Sequence, residues 1–320
     1  MIRRRLLGAM GTALLTPLHA LAQQPGTRAI TIVIPFAPGG ASDLVARPMA
    51  DGMAAELSRA VIVENKGGAG GLLAAGTVGR AIADGQTLLY GNQGQMLVAR
   101  HLLPGSGVNP LESLTPIVMT ARTSFALVVP TESPFGSARE LAAAPRAAPL
   151  RFGIPGVGSP PHLATALLAE ALGTAPLIVP YQGSGQLLVD LTAGRLDAAF
   201  DNIASSLPHV RAGRLRALGL SAPRRSPAAD DVPTLAEAGI GQFSYQAWQG
   251  LFAPVGTPRE VTTMIATAAQ RSLAAPSVRQ RLEQSGLEVA PLGPEEFQAL
   301  IGREAELWEG LVRKGALKAV

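Results

Sequence analysis

Residues Ala29 to Leu57 constrain the fold more than any other stretch. Ala29-Ile30-Thr31-Ile32-Val33-Ile34 is an apolar, β-branched run of strand length. Leu44 to Leu57 reads as a helix, and between them lie two prolines, the adjacent Gly39 and Gly40, and Ser42 as a candidate N-cap. A strand that empties through a glycine turn into a helix leaves several backbone N–H groups unpaired and pointing one way. Such a turn is a ready anion site without any catalytic side chain. A short apolar strand of this kind also needs cover on both faces, which points to an α/β sheet.

The alternation continues. Val61–Glu64 and Thr87–Tyr90 read as strands around a helix from Leu72 to Ala83. A second series starts at Phe125–Val129, with a capping box at Ser137-Ala138-Arg139-Glu140. It continues with strands at Arg151–Ile154, Leu177–Val179, Asp197–Phe200 and Arg216–Leu220, and a helix from Pro161 to Leu172. Beyond the loop at Ala222–Pro227, Tyr245–Ala253 reads as a long strand. Thr257-Pro258-Arg259-Glu260 reads as a helix start with Thr257 as N-cap. Helices over Pro276–Gly286 and Pro294–Lys314 complete the chain. Pro48, inside the first helix, is expected to kink it or cut it short at a cost of roughly 3 kcal/mol.

The 320 residues are enough for two domains. Residues 1–22 read as a signal peptide: Arg3-Arg4-Arg5, an apolar core to Leu18, and Ala20-Leu21-Ala22 as cleavage site. Its removal takes three arginines and lowers the net charge from +4 to +1, so a basic partner surface does not follow. With no cysteine and 4% aromatic residues, disulfides, thiolate metal sites and base-stacking platforms are not expected. Export without a second apolar span places the mature chain in a periplasm or outside the cell.

A second loop, Gly156-Val157-Gly158-Ser159-Pro160-Pro161-His162, repeats the design of the first. Two such loops facing each other would hold an anion from both sides, with the Ser42 and Ser159 hydroxyls as extra donors. Asp43 is read as a structural carboxylate of the first helical turn. Gly67-Gly68-Ala69-Gly70-Gly71 follows a strand, but Leu73 stands where a dinucleotide fingerprint needs its third glycine, and no Gly-Lys-Ser/Thr follows. It is read as a structural turn with a chance of lining the cleft, and no cofactor is expected. His101, His162 and His209 lack metal-ligand spacing. Gly40-Ala41-Ser42-Asp43-Leu44 only approaches a nucleophile elbow, so an enzyme is not expected. Asn92, Gln93, Tyr181, Gln182, Asp201 and Asn202 are polar groups at or past strand ends, where open sheets bind ligands.

Several of these stretches together resemble one family. They are Pro35–Asp43, Val63–Gly71, Asp84–Leu89, Gly158–Leu163, Val179–Gly183 and Trp248–Pro258, in order over nearly the whole mature chain. The chain is similar to the extracytoplasmic solute receptors of tripartite tricarboxylate transporters, the Bug receptors. Two features depart from that pattern: Asn92-Gln93-Gly94-Gln95 replaces a Thr/Ser-rich stretch, and Pro48 is unusual.

The resemblance implies a two-lobed type II periplasmic binding fold, a Venus flytrap of mostly parallel sheets flanked by helices. Lobe 1 would comprise 23–122 and 222–320 and lobe 2 123–221, with hinges near 120–124 and 220–224. It implies ligand contacts from Phe36, Ala37, Gly39, Gly40 and Ser42 on one lobe and Gly158, Ser159 and His162 on the other, with Tyr181, Gly183 and Asp201 nearby. Asn92 and Gln93 join them as strand-end groups. The expectation is a monomeric periplasmic receptor that hands a small carboxylate to membrane permease subunits, with no metal, cofactor or nucleic acid. A receptor for a membrane sensor kinase and an exported enzyme are the alternatives.

Overall fold

The structure, a computed structural model, describes residues 28–36, 38–144, 148–315 and 317. The expected signal peptide and Ala37 lie outside the described residues.

The first run of the chain contains β1 (Ile30–Ile34), α1 (Ala41–Leu57), β2 (Val61–Asn65), α2 (Leu72–Gly79) and β3 (Thr87–Asn92). A π-helical turn at Gly94–Val98 leads into α3 (Ala99–Leu102), α4 (Pro110–Ser113) and β4 (Leu114–Thr123). The second run contains β5 (Phe125–Pro130), α5 (Ala138–Ala142), β6 (Arg151–Ile154), α6 (Pro160–Leu172) and β7 (Leu177–Pro180). It ends with α7 (Ser184–Thr192), β8 (Ala198–Asn202), α8 (Ile203–Arg211) and β9 (Leu215–Leu220). The last run contains β10 (Ala247–Pro254), α9 (Arg259–Ala274), α10 (Pro276–Gln284), β11 (Leu287–Leu292) and α11 (Pro294–Arg313).

The strands form two sheets, β11-β4-β10-β3-β1-β2 and β7-β6-β8-β5-β9, each flanked by helices. The result is a two-lobed α/β fold. Both sheets are mixed: β1 lies parallel to β2 and β3, and β6 parallel to β7 and β8. The strands nearest the crossings, β4, β10 and β5, run antiparallel to their neighbours. β10 is buried at all eight positions because sheet lies on both its edges and helices on its faces. Trp248 meets Phe297 of α11 edge-on, with ring centroids 5.0 Å apart. Its register sets Gln249 opposite Asn92 of β3 on one side and Ala121 of β4 on the other.

Pro48 neither ends nor splits α1, which runs unbroken over 17 residues. Met49, Ala50 and Met53 are buried, and α1 packs on α9 so closely that a Cβ on Gly52 would overlap Ser272. The Ser272 hydroxyl donates to the Met49 carbonyl at 3.1 Å. Burial worth about 1.5–3 kcal/mol per large side chain offsets the proline's cost. Two caps also differ from expectation. Gly40, not Ser42, caps α1. Pro258 precedes α9, while the Thr257 hydroxyl donates back to the Pro254 carbonyl at 2.8 Å. The capping box is displaced by one residue: Ser137 accepts from the Glu140 N–H, and the Glu140 carboxylate from the Gly136 N–H.

Ser124 alone separates β4 from β5. The segment after β9 stays on the second sheet: Leu235 N–H bonds to the Leu220 carbonyl, and Phe243 stacks on Phe200 at 6.1 Å. The chain returns to the first sheet through Tyr245 and Gln246. Ser221 ties the two crossings, its hydroxyl accepting from Phe125 N–H and donating to the Tyr245 carbonyl. The Gln246 amide also donates to Ser124 Oγ at 3.1 Å.

Candidate functional site

A cleft of about 1010 Å³ opens between the two sheets. Its lobe 1 wall is the β1–α1 turn, the glycine-rich turn Gly67–Gly71, and the ends of β3, β4 and β10. Its lobe 2 wall is the β6–α6 loop and the starts of α7 and α8. No Lys, Arg or His occurs among the described lining residues, and Asp43 is the only ionisable group with a negative charge. A charge-bearing ligand is therefore met by backbone dipoles, not by a cation.

The two lobes supply those dipoles unequally. At α1, the Asp43 and Leu44 N–H groups bond back to the Gly40 carbonyl, and the Ala41 and Ser42 amides have no acceptor among the described residues. Gly39 holds φ +89°, a conformation that favours glycine, and delivers the chain to this helix start. At α7, Ser184, Gly185 and Gln186 line the cleft, open the helix, and have no backbone acceptor. At α6 the first two residues are Pro160 and Pro161, which carry no N–H at all. The second glycine loop thus repeats the shape of the first without N–H donors at its first two helical positions.

Of the expected ligand residues, Phe36, Gly39, Gly40, Ser42, Asn92, Ser159, Tyr181 and Gly183 line the cleft. Four others do not. Gln93 turns away: its amide donates to Glu304 of α11 at 2.5 Å and its carbonyl accepts from Tyr245 OH at 2.7 Å. Gly158 packs against Ala99 and gives its N–H to His162 Nδ1 at 3.1 Å. His162 is buried, which depresses its pKa to about 4 and keeps it a neutral acceptor. Asp201 is wholly buried behind Ser184, whose hydroxyl donates to it.

Several side chains at the wall are committed to protein partners. The Ser42 hydroxyl donates to Gln249 at 3.2 Å, and Gln249 donates to Thr123 at 2.5 Å. Ser42 therefore shows the cleft lone pairs and not the expected donor. Tyr181 OH is held by Asp190 at 2.8 Å, which leaves its ring to the cleft. Asp43 accepts from Arg47 Nε at 2.9 Å and from the Asn65 amide, so its role is structural through side chains. Ser159 Oγ has no partner. Gln249, Thr123 and Ser184–Gln186 were not foreseen, because no local signal marks them; Gly183 alone marked the α7 start. Gln249 reaches the site only through β10's register, 207 residues from Ser42.

The lobes touch beside the cleft. A Cβ on Gly94 would overlap the Gly158 carbonyl oxygen. This close approach explains a glycine in the Asn92–Gln95 stretch, where Gln95 also pins the Gly71 carbonyl at 2.8 Å. No group of His, Cys, Asp and Glu fit to hold a metal occurs among the described residues. None of their helices is long and apolar enough to cross a membrane.

Two α/β lobes around a cleft edged by helix starts define the periplasmic binding protein class, and comparison with known proteins agrees. The sequence matches the tripartite tricarboxylate transporter family receptor over residues 45–317, and the chain belongs to that family. It is 36% identical over 326 residues to the UPF0065 protein in the tcbD-tcbE intergenic region of Pseudomonas sp. (strain P51), covering 99% of this chain and 96% of that one. The structure is similar to that of periplasmic binding protein BugD, with TM-score 0.81, 32% identity, and coverage of 91% of this chain and 98% of that one. It is also similar to R. palustris Rpa4515 with adipate, with TM-score 0.84, 31% identity, and coverage of 92% and 99%.

Proposed function

We propose that this protein is a periplasmic receptor that closes its two lobes on a small carboxylate and delivers it to the permease subunits of a tripartite transporter. The observation that carries this reading is the pair of helix starts, α1 and α7, that open on one cleft from opposite lobes with unpaired amides. The adipate held by a relative 31% identical supports the ligand class. Closure expels water and strengthens each amide–carboxylate bond, and the closed form is what the permease reads. The protein acts as a monomer and without chemistry on its ligand.

We take the hinge to be Ser124 on the outward crossing and residues 244–246 on the return. The return lies later than the expected 220–224 because 222–243 packs on the second sheet. Lobe 2 is then 125–243, and lobe 1 is the described residues up to 123 and from 247 onward. A thermal-shift screen of mono-, di- and tricarboxylates is the direct test. A true ligand raises Tm with concentration and shrinks the radius of gyration in small-angle scattering. A screen in which no carboxylate raises Tm would refute the reading.

A further inference from the structure

Asp201 is a buried acid that the amide-based account of binding does not use. It lies near the end of β8 with no solvent exposure. One carboxylate oxygen accepts the Ser184 hydroxyl at 2.5 Å, and the other is buried with no partner. Ser184 opens α7 and lines the cleft. Its only proton is spent on Asp201, so it shows the cleft lone pairs among amides that favour an anion. A carboxylate arriving at α7 would meet those lone pairs, with a buried negative charge one hydroxyl behind them. Two like charges so close in a low-dielectric site repel strongly.

A proton removes the conflict. Protonated Asp201 becomes the donor to Ser184 Oγ, and the Ser184 hydroxyl turns its proton toward the ligand carboxylate. One proton is taken from solvent, the Ser184–Asp201 hydrogen bond reverses direction, a new one forms from Ser184 to the ligand, and no covalent bond to carbon changes. We propose that Asp201 and Ser184 form a proton relay at the floor of the cleft, so that a carboxylate binds together with one proton. This inference rests on the carboxylate reading of the cleft.

The surroundings leave Asp201 free to titrate. The elements packed on β8 are β5, β6, α6, α7 and α8. β5 carries no ionisable residue. On β6, Arg151 is paired with Asp197. On α6, His162 is held neutral on the Gly158 amide, and Glu170 is exposed. Asp190 of α7 binds Arg195 and Tyr181. On α8, Arg211 donates to the Ala228 carbonyl, and burial and Arg214 keep the His209 pKa low. Among the described residues no cation offsets the burial, which raises the Asp201 pKa to about 7 while the Ser184 hydroxyl and the Asn202 backbone N–H beside the carboxyl lower it.

Two measurements test the relay. In the ligand-free protein with ¹³C-labelled aspartate carboxyls, the resonance lost in Asp201→Asn should titrate near pH 7 and move upward with saturating adipate. Adipate affinity measured by calorimetry from pH 5.5 to 8.5 should weaken about tenfold per pH unit above 7, as binding linked to one proton requires. Heats in buffers of different ionisation enthalpy should report uptake of up to one proton. Asp201→Asn should bind adipate with no pH dependence in this range, and Ser184→Ala should lose about tenfold at pH 5.5 while staying folded. A pH-independent wild-type affinity, or an Asp201 already ionised at pH 5, overturns the relay and leaves the carboxylate reading standing. Adipate that binds at no pH overturns the carboxylate reading and the relay that rests on it.

Discussion

The starts of α1 and α6 look alike in sequence, each a strand, a glycine loop and a helix, yet they present different chemistry to the cleft. α1 follows Gly39-Gly40 and keeps the Ala41 and Ser42 amides unpaired. α6 follows Gly156–Ser159, but Pro160 and Pro161 remove two donors, and His162 takes the Gly158 amide. The donors that oppose α1 come from α7, whose Gly183-Ser184-Gly185 start carries no proline. A glycine turn before a helix is therefore an anion site only when the first helical residues retain N–H groups. The α6 loop also makes contact between the lobes, where Gly158 meets Gly94 and Ala99 of lobe 1.

That contrast can be broken by substitution. Gly40→Val should have the largest effect. Gly40 lies at φ −80°, where valine is unstrained, and its side chain would cover the α1 amides. Loss of two charge-assisted bonds at roughly 1.5–3 kcal/mol each predicts at least ~100-fold weaker carboxylate binding by calorimetry with Tm unchanged.

The next effect is on stability and belongs to the α6 loop. His162 has its pKa depressed to about 4 by burial, whereas in the unfolded chain it titrates near 6.5. The unfolded chain thus binds a proton that the folded state refuses, and the stability present above pH 6.5 falls away as pH drops toward 4, by at most roughly 3 kcal/mol. His162→Asn keeps an acceptor near the Gly158 amide and should flatten Tm over that window. An unchanged slope would remove His162 from the loop's support.

Gly185→Val puts a side chain into open space over the α7 amides, since no heavy atom lies within 4 Å of its Cβ position. Binding should weaken about tenfold, equivalent to one hydrogen bond of ~1.4 kcal/mol. Ser159→Ala should matter least, about threefold, because one neutral hydroxyl is worth roughly 0.5–1.5 kcal/mol. If Ser159→Ala outweighs Gly185→Val, α6 and not α7 is the partner of α1.

The parts of the molecule governed by neighbours in the chain were legible from the sequence. The strands from β1 to β3 and the starts of α10 and α11 stand where hydrophobic period and turn residues put them. Pro48 was misleading because its cost is local while the burial that outweighs it comes from α9, more than 200 residues on. β4, mostly buried, and β11 had no counterpart among the expected strands. Gln93 was misplaced for a similar reason: the Glu304 carboxylate that captures it and Trp248 arrives on α11. Burial raises the pKa of that carboxylate.

The sequence by itself therefore determined an α/β chain of two series, a family, and a glycine-built start to its first helix. The first and the last depend on dihedral preference and period within some twenty residues, and the family on the order of several such stretches along the chain. Only the tertiary structure decided which helix faces that site, which polar side chains are already bonded inside the wall, and that Asp201 lies buried beneath Ser184. Those outcomes depend on strand register and on which charges lose their water, and neither is a property of any one stretch of chain.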